Sequence, residues 1–254
     1  MFSKKHIPNA ITLINLFLGC TAVVQALEGN PGTAALIIGA CAVLDFLDGF
    51  AARVLDAGSP LGQQLDSLAD LVSFGAAPAA IVFHYLQLAT ASAGMADPSG
   101  ILLPYTAFLL AVFSGLRLAI FNLDTRQRYA FVGLPTPANA MFFAAFPFVL
   151  SFGSGHGIIA RATEWVTADP WMLLLLTALF SWLLVSPIHM FSLKFTSLKA
   201  GENRFRYLFL GISLLLVILF RLDSPPVIMV FYLFLSLIFH FNTPSSTHEV
   251  TRRD

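Results

Sequence analysis

Charge is what this sequence has least of. Asp, Glu, Lys and Arg make up 11% of its 254 residues, against about a quarter in an ordinary soluble domain, and the deficit excludes a water-facing surface over most of the chain. Net charge is missing as well: 14 basic and 14 acidic residues cancel, so no bulk field favours a nucleic-acid partner or an acidic substrate. Cysteine is nearly absent. Cys20 and Cys41 both lie in apolar stretches, which argues against a disulfide framework or a thiolate metal site and leaves them as packing residues. Internal repeats and low-complexity tracts are missing too. What fills the chain is hydrophobic, 57% of residues with 25 Phe among them, and lipid is the solvent that suits it.

A helix needs about 20 mostly apolar residues to span a bilayer. Runs of that order lie near 8–27, 32–54, 63–87, 101–122, 136–154, 171–190, 205–221 and 226–241, which predicts an all-α polytopic membrane protein of about eight spans. Turn chemistry separates them, in segments such as "EGNPG", "DAGSPLG", "GSGHG" and "RLDSPP". If Lys4 and Lys5 are cytoplasmic and the spans alternate, 12 of the 14 basic residues fall on the cytoplasmic side and only Arg161 and Arg221 outside. A rival reading makes residues 1–26 a signal peptide, because an apolar run after Lys4 and Lys5 ends in the small-residue pattern "VQA". The run to Leu27 is long enough to span, and the spanning reading is the one carried forward.

Against this background the stretch "DFLDGFAARVLDAGSPLGQQLDSLAD" from Asp45 to Asp70 is costly. Asp45 and Asp48 are three apart near the end of the second span, and Asp66 and Asp70 four apart at the start of the third. On helices each pair shares a face. The short "DAGSPLG" link predicts antiparallel neighbours whose pairs converge, with Asp56 a solvated turn residue. An acid at mid-bilayer costs roughly 2.5–3.5 kcal/mol, so four would cost up to about 10–14 kcal/mol there and less near the interface. Arg53 is one nearby cation against four anions. Two Mg²⁺ or Mn²⁺ ions, hard cations that prefer carboxylate oxygen and complete their shells with phosphate and water, would balance the four. Gly49 and Gly62 then leave room for a ligand to approach backbone, Ala52 keeps its face slim, and the fork of Arg53 suits a phosphate oxygen.

These residues form the pattern D-x-x-D-G-x-x-A-R, eight residues, G-x-x-x-D-x-x-x-D, filled by Asp45, Asp48, Gly49, Ala52, Arg53, Gly62, Asp66 and Asp70. It resembles the signature of the CDP-alcohol phosphotransferases. From average residue frequencies the chance of such a match in a random chain of this length is on the order of 10⁻⁷ or below. The resemblance implies a six-helix core, two bound metals, a homodimer, and transfer of a phosphoalcohol from a CDP-linked donor to a hydroxyl with release of CMP. It also implies Asp45, Asp48 and Asp66 as metal ligands, Asp70 as ligand and general base, and Gly49 and Arg53 as contacts to the CDP moiety. On that basis 1–254 is one membrane domain, with a catalytic core over about 1–191, two added helices over about 205–241, and a cytoplasmic tail at 242–254.

The acceptor must be read elsewhere. "LDSLADLVSFGAAPA", "GLRLAIFN" at Gly115 to Asn122, "FVGLPTPANA" at Phe131 to Ala140 and the opening "PNAITLINLF" resemble the bacterial integral-membrane phosphatidylserine synthases. That resemblance implies CDP-diacylglycerol as donor, L-serine as acceptor and the bacterial inner membrane as location. Its fourth-span motif is "LRLARFN", and Ile120 stands at the second arginine, which leaves Arg117 as the candidate for phosphate or serine carboxylate. Arg117 reads equally as a snorkelling interface anchor, Asn122 as a helix cap, Arg126 and Arg128 as charges facing anionic headgroups, and Asn9 and Thr12 either as nucleotide contacts or as ordinary polar residues at a helix start. Other acceptors of the same chemistry are glycerol phosphate, inositol phosphate and choline, and an archaeal ether lipid is another donor. A divalent-cation transporter, whose intramembrane acids would line an ion path, leaves Gly49, Ala52 and Arg53 without a role.

Overall fold

The computed structural model describes residues 6–95, 97–123, 131–190 and 203–242. All eight expected segments are helical: α1 (His6–Leu27), α2 (Pro31–Val54), α3 (Pro60–Asp70) continuing into α4 (Ala77–Ser92), α5 (Pro98–Leu102) running through a 3₁₀ stretch into α6 (Leu109–Leu123), α7 (Thr136–Phe152), α9 (Pro170–Val185), α10 (Arg204–Phe220) and α11 (Ser224–Asn242). By length and apolarity five helical stretches can cross a membrane, or six with one bent pair counted as a span. The expected eight spans exceed this count at two places. α7 is a shorter apolar helix, and 204–241, one apolar stretch by composition, doubles back at Arg221 (φ 50°). Ring pairs Phe205–Phe239 at 5.5 Å and Phe209–Tyr232 at 5.9 Å show the two arms antiparallel. The outer surface is apolar, with Phe17, Phe46 and Leu214 more than 60% exposed, and the protein is an integral membrane protein.

Two expectations need correction, and the third span, helical throughout Pro60–Ser92, carries a local feature of its own: directly after Asp70 the helix widens into a π-turn, Leu71–Ala76, in which the Ala77 N–H donates to the Val72 carbonyl five residues back. Pro78 supplies the reason, since it has no N–H for the Phe74 carbonyl and its ring crowds that turn. The "GSGHG…TADP" punctuation contains a helix, α8 (Ile158–Ala168), lying at 90° to α9, with Ala160, Thr163 and Thr167 buried and Ile158 and Trp165 exposed. The sixth segment ends at Val185, and His189–Met190 (β2) pairs antiparallel with Phe131–Val132 (β1).

Packing divides into two cores. Around α1, α2, the π-turn and α4 it is built from small residues, among them Ala22, Ala26, Ala34, Ala35, Ala77 and Ala80. In lipid, close approach of backbones replaces the hydrophobic driving force between helices. Gly19 is one such close approach, where a Cβ would lie 2.4 Å from Ser73 Oγ and 3.0 Å from its Cα. The second core is aromatic, with Phe142, Phe143, Phe146 and Phe180 in mutual ring contact. Both cysteines are free; Cys41 is buried and Cys20 exposed.

Candidate active site

α2 ends at Val54 and α3 begins at Pro60, capped by Ser59, whose Oγ accepts from the Gly62 N–H at 3.0 Å. Asp56 turns the chain with φ 48°, a conformation Asp tolerates better than most residues. The two helices are antiparallel as the link requires, yet they barely touch. α1 packs along α2 and against α3 instead, and the cleft left between its neighbours holds the acids.

Across that cleft Asp45, Asp48 and Asp66 each bring one carboxylate oxygen within 4.8 Å of the others. Asp48 is 6% exposed. Asp70, one turn deeper on α3, lies outside that trio but within electrostatic reach of all three and of Arg117, and its Oδ1 is buried without a hydrogen-bond partner. Thr12 of α1 donates to Asp48 Oδ2 at 2.6 Å, the one side-chain hydrogen bond to the four acids among the described residues. Below it, Ser73 Oγ donates to Asn15 Oδ1 at 3.0 Å and ties α1 to the π-turn.

An open cavity of about 530 Å³ leads to the acids. Asn9, Thr12, Asp48, Gly49, Ala52, Gly62 and Asp66 line it, so most of the positions expected from the sequence share one wall. The two glycines differ in what they do. Nothing lies within 4 Å of a Cβ at Gly49, where the space belongs to the cavity, whereas at Gly62 a Cβ would sit 3.0 Å from Asn9 Oδ1 and 3.2 Å from Ser59 Oγ. Gly62 thus also admits α1 and the cap where it lines the cavity. Arg53 is exposed and follows Ala52, a lining residue of the cavity that Arg53 itself does not line. Arg117 is 7% exposed with an unpartnered Nε, which removes the snorkelling reading. Ile120 is 44% exposed, so the position where the motif departs faces outward. Asn122 donates to Ser67 Oγ at 2.8 Å and lines a separate groove with Leu68, Leu71 and Gly115. Arg126 and Arg128 lie outside the described residues.

A set of three converging carboxylates with a fourth, unpartnered one behind it fits a hard divalent cation, because neither arginine is placed to neutralise four acids and all the donors are oxygen. Comparison with known proteins decides the family. The family model described as CDP-alcohol phosphatidyltransferase matches residues 5–182. The chain belongs to this family. Proteins named CDP-diacylglycerol–serine O-phosphatidyltransferase are similar to it: that of Mycobacterium leprae is 37% identical over 192 residues, 72% of this chain and 57% of its own length. That of Mycobacterium tuberculosis is 38% identical over 157 residues, 59% and 51%. The Bacillus subtilis protein is 34% identical over 204 residues, 78% and 95%. The matched region spans little more than half of the mycobacterial relatives. Nothing in the local sequence marks Thr12 as the partner of Asp48 or the π-turn at the foot of Asp70.

Proposed function

We propose that the protein transfers the phosphatidyl group of CDP-diacylglycerol to the hydroxyl of L-serine, releasing phosphatidylserine and CMP. The observation that carries this reading is the convergence of Asp45, Asp48 and Asp66 on one another, with Asp48 and Asp66 lining an open cavity, in a chain whose relatives bear that activity as their name. Asp45, Asp48, Asp66 and Asp70 would hold two divalent cations, Mg²⁺ or Mn²⁺. Bound there, such ions neutralise charge on the phosphates and acidify a nearby hydroxyl.

The chain's own groups account for the rest. Gly49 and Ala52 give the cavity a slim wall against which the CDP moiety lies, and the exposed Arg53, next in sequence to that wall, pairs with a phosphate oxygen. Thr12 fixes the rotamer of Asp48, so the carboxylates are pre-set rather than gathered on binding. Asp70, the one acid among the described residues with a buried free oxygen, takes the serine hydroxyl proton as the serine oxygen forms its bond to the lipid-side phosphorus. The bond from this phosphorus to the bridging oxygen breaks, and CMP leaves with the electron pair.

The acids face the cytoplasm in this reading, on the strength of the lysine and arginine distribution. Serine and CMP exchange with water while the acyl chains stay in the bilayer. Residues 1–191 form the catalytic core, 205–241 an addition and 242–254 a tail, and the protein works as a homodimer in the bacterial inner membrane, as its resemblance to the family implies. The test is direct. Purified protein given CDP-diacylglycerol, Mn²⁺ and labelled serine is expected to yield phosphatidylserine and CMP in equal amounts. Label entering lipid from glycerol phosphate, inositol phosphate or choline, and not from serine, would overturn the acceptor assignment.

A further inference from the structure

The end of the bundle away from the acids has features that the proposed reaction does not use. Gly32, at the start of α2, meets Ser151 at the end of α7, where a Cβ would lie 2.1 Å from Ser151 Oγ. Asp45 and Asp48 sit further along α2, roughly 20–24 Å from Gly32 at about 1.5 Å of rise per residue. The chain after α7 and the tip of the α10–α11 hairpin, tied together through Ser154 and Asp223, therefore belong to the membrane face opposite the acids. α8 crosses this face at 90° to α9. Trp165 and Trp171 are 59% and 64% exposed there, and tryptophan favours the headgroup layer.

Two cavities adjoin at this face. The larger, about 590 Å³, has Ser154, His156, Arg221 and Asp223 on its polar side. The smaller, about 280 Å³, is walled by Phe146, Val166, Val227 and Val230 between α8 and α11. Ile158 and Ile159 line both, so a polar chamber and an apolar groove meet at the first turn of α8.

The charges in the chamber are unequally satisfied. Asp223 accepts from the Ser154 N–H at 3.0 Å and from the Ser154 hydroxyl, so its carboxylate is held by the chain. The Arg221 carbonyl accepts from the Ser224 hydroxyl at 2.7 Å, but its guanidinium has no hydrogen-bond or ion-pair partner among the described residues. Its backbone stands at φ 50°, ψ −123°, a conformation that glycine adopts freely and arginine only under strain. A strained arginine whose charged group is unengaged points to a partner outside the chain.

We propose that this end of the protein binds a glycerophospholipid of the leaflet opposite the acids, with its phosphate on Arg221 and one acyl chain in the groove between α8 and α11. A free anion would leave the groove unused, and an uncharged lipid would leave Arg221 unpaired. A phospholipid fits both parts, because the planar fork of arginine suits phosphate and the groove suits hydrocarbon. Bound there, the lipid ties α8 to the hairpin, as Asp223 ties the hairpin to the end of α7.

The test uses the full chain purified in detergent, stripped of lipid and kept in EDTA so that the acids hold no cation. Dioctanoyl phosphatidylglycerol should raise the melting temperature by about 5 °C at saturation, whereas dioctanoylglycerol and inorganic phosphate should not. Asp66→Asn, altered at the other end, should respond as the wild type does. Arg221→Gly relieves the backbone, so its lipid-free melting temperature should equal or exceed that of the wild type, yet half of the rise should need at least about tenfold more phosphatidylglycerol. Arg221→Lys should recover part of that loss. Val230→Trp, which fills the groove from a 55% exposed position, should weaken the response in the same way. No rise with phosphatidylglycerol, an equal rise with dioctanoylglycerol or phosphate, or an Arg221→Gly response matching the wild type would overturn the proposal. A response lost in Asp66→Asn would also overturn it, by placing the lipid at the acids.

Discussion

Two buried acids at opposite ends of the bundle teach what the carboxylate cluster is for. Asp223, in the 3₁₀ turn between α10 and α11, is 8% exposed. It accepts from the Ser154 backbone N–H at 3.0 Å and from the Ser154 hydroxyl, and Gly153 makes room for it, since a Cβ there would lie 2.1 Å from Asp223 Oδ1. The cavity beside it, about 590 Å³, is slightly larger than the one over the acids, yet its one buried carboxylate is already satisfied by the protein. Asp223 pins the hairpin tip to the end of α7. At the other end, Asp48 is equally buried, but one threonine hydroxyl is all the side-chain hydrogen bonding that four carboxylates receive among the described residues. An acid satisfied by its own chain needs no ligand. Four acids that are not are free to take a ligand from outside, and this distinguishes the site more clearly than cavity size does.

The contrast can be broken most sharply by one substitution at each end. Asp70→Asn keeps size and removes the charge and the proton acceptor. CMP release should fall by about 10²–10⁴-fold while the solubilised protein melts normally. Asp223→Asn places an amide where two donors converge, so it should cost about 1–3 kcal/mol of stability and leave turnover per folded molecule unchanged. Normal turnover in Asp70→Asn, or lost turnover without lost stability in Asp223→Asn, would erase the distinction. The smallest effect belongs to Thr12→Val. Losing one hydrogen bond worth about 0.5–1.5 kcal/mol should weaken Mn²⁺ activation by roughly two- to twelvefold, read as a rightward shift of the metal-dependence curve.

The acids were readable in the sequence because their chemistry is local. Spacings of three and four put each pair on one helix face, and a five-residue link brings the faces opposite one another. The helical segments were readable for the same reason, as apolar length is a property of consecutive residues. What escaped depends on contacts between residues far apart in sequence. Thr12 meets Asp48 across 36 positions, and nothing around Thr12 marks it from other polar residues at a helix start. Arg117 stood between two readings until its burial was known. Asp223 and Asp56 both sit in turns, and only the tertiary partners separate a structural acid from a solvated one. The π-turn follows from Pro78, whose effect is felt several residues upstream, and α8 hides in a segment rich in turn residues.

Metal titration tests the central claim most directly. Mn²⁺ or Mg²⁺ added to the purified protein should raise its melting temperature and tighten CDP-diacylglycerol binding in the wild type and in Asp223→Asn, but not in Asp45→Asn or Asp66→Asn. A protein whose stability and donor affinity ignore both cations, or an Asp66→Asn variant that responds like the wild type, would contradict the account.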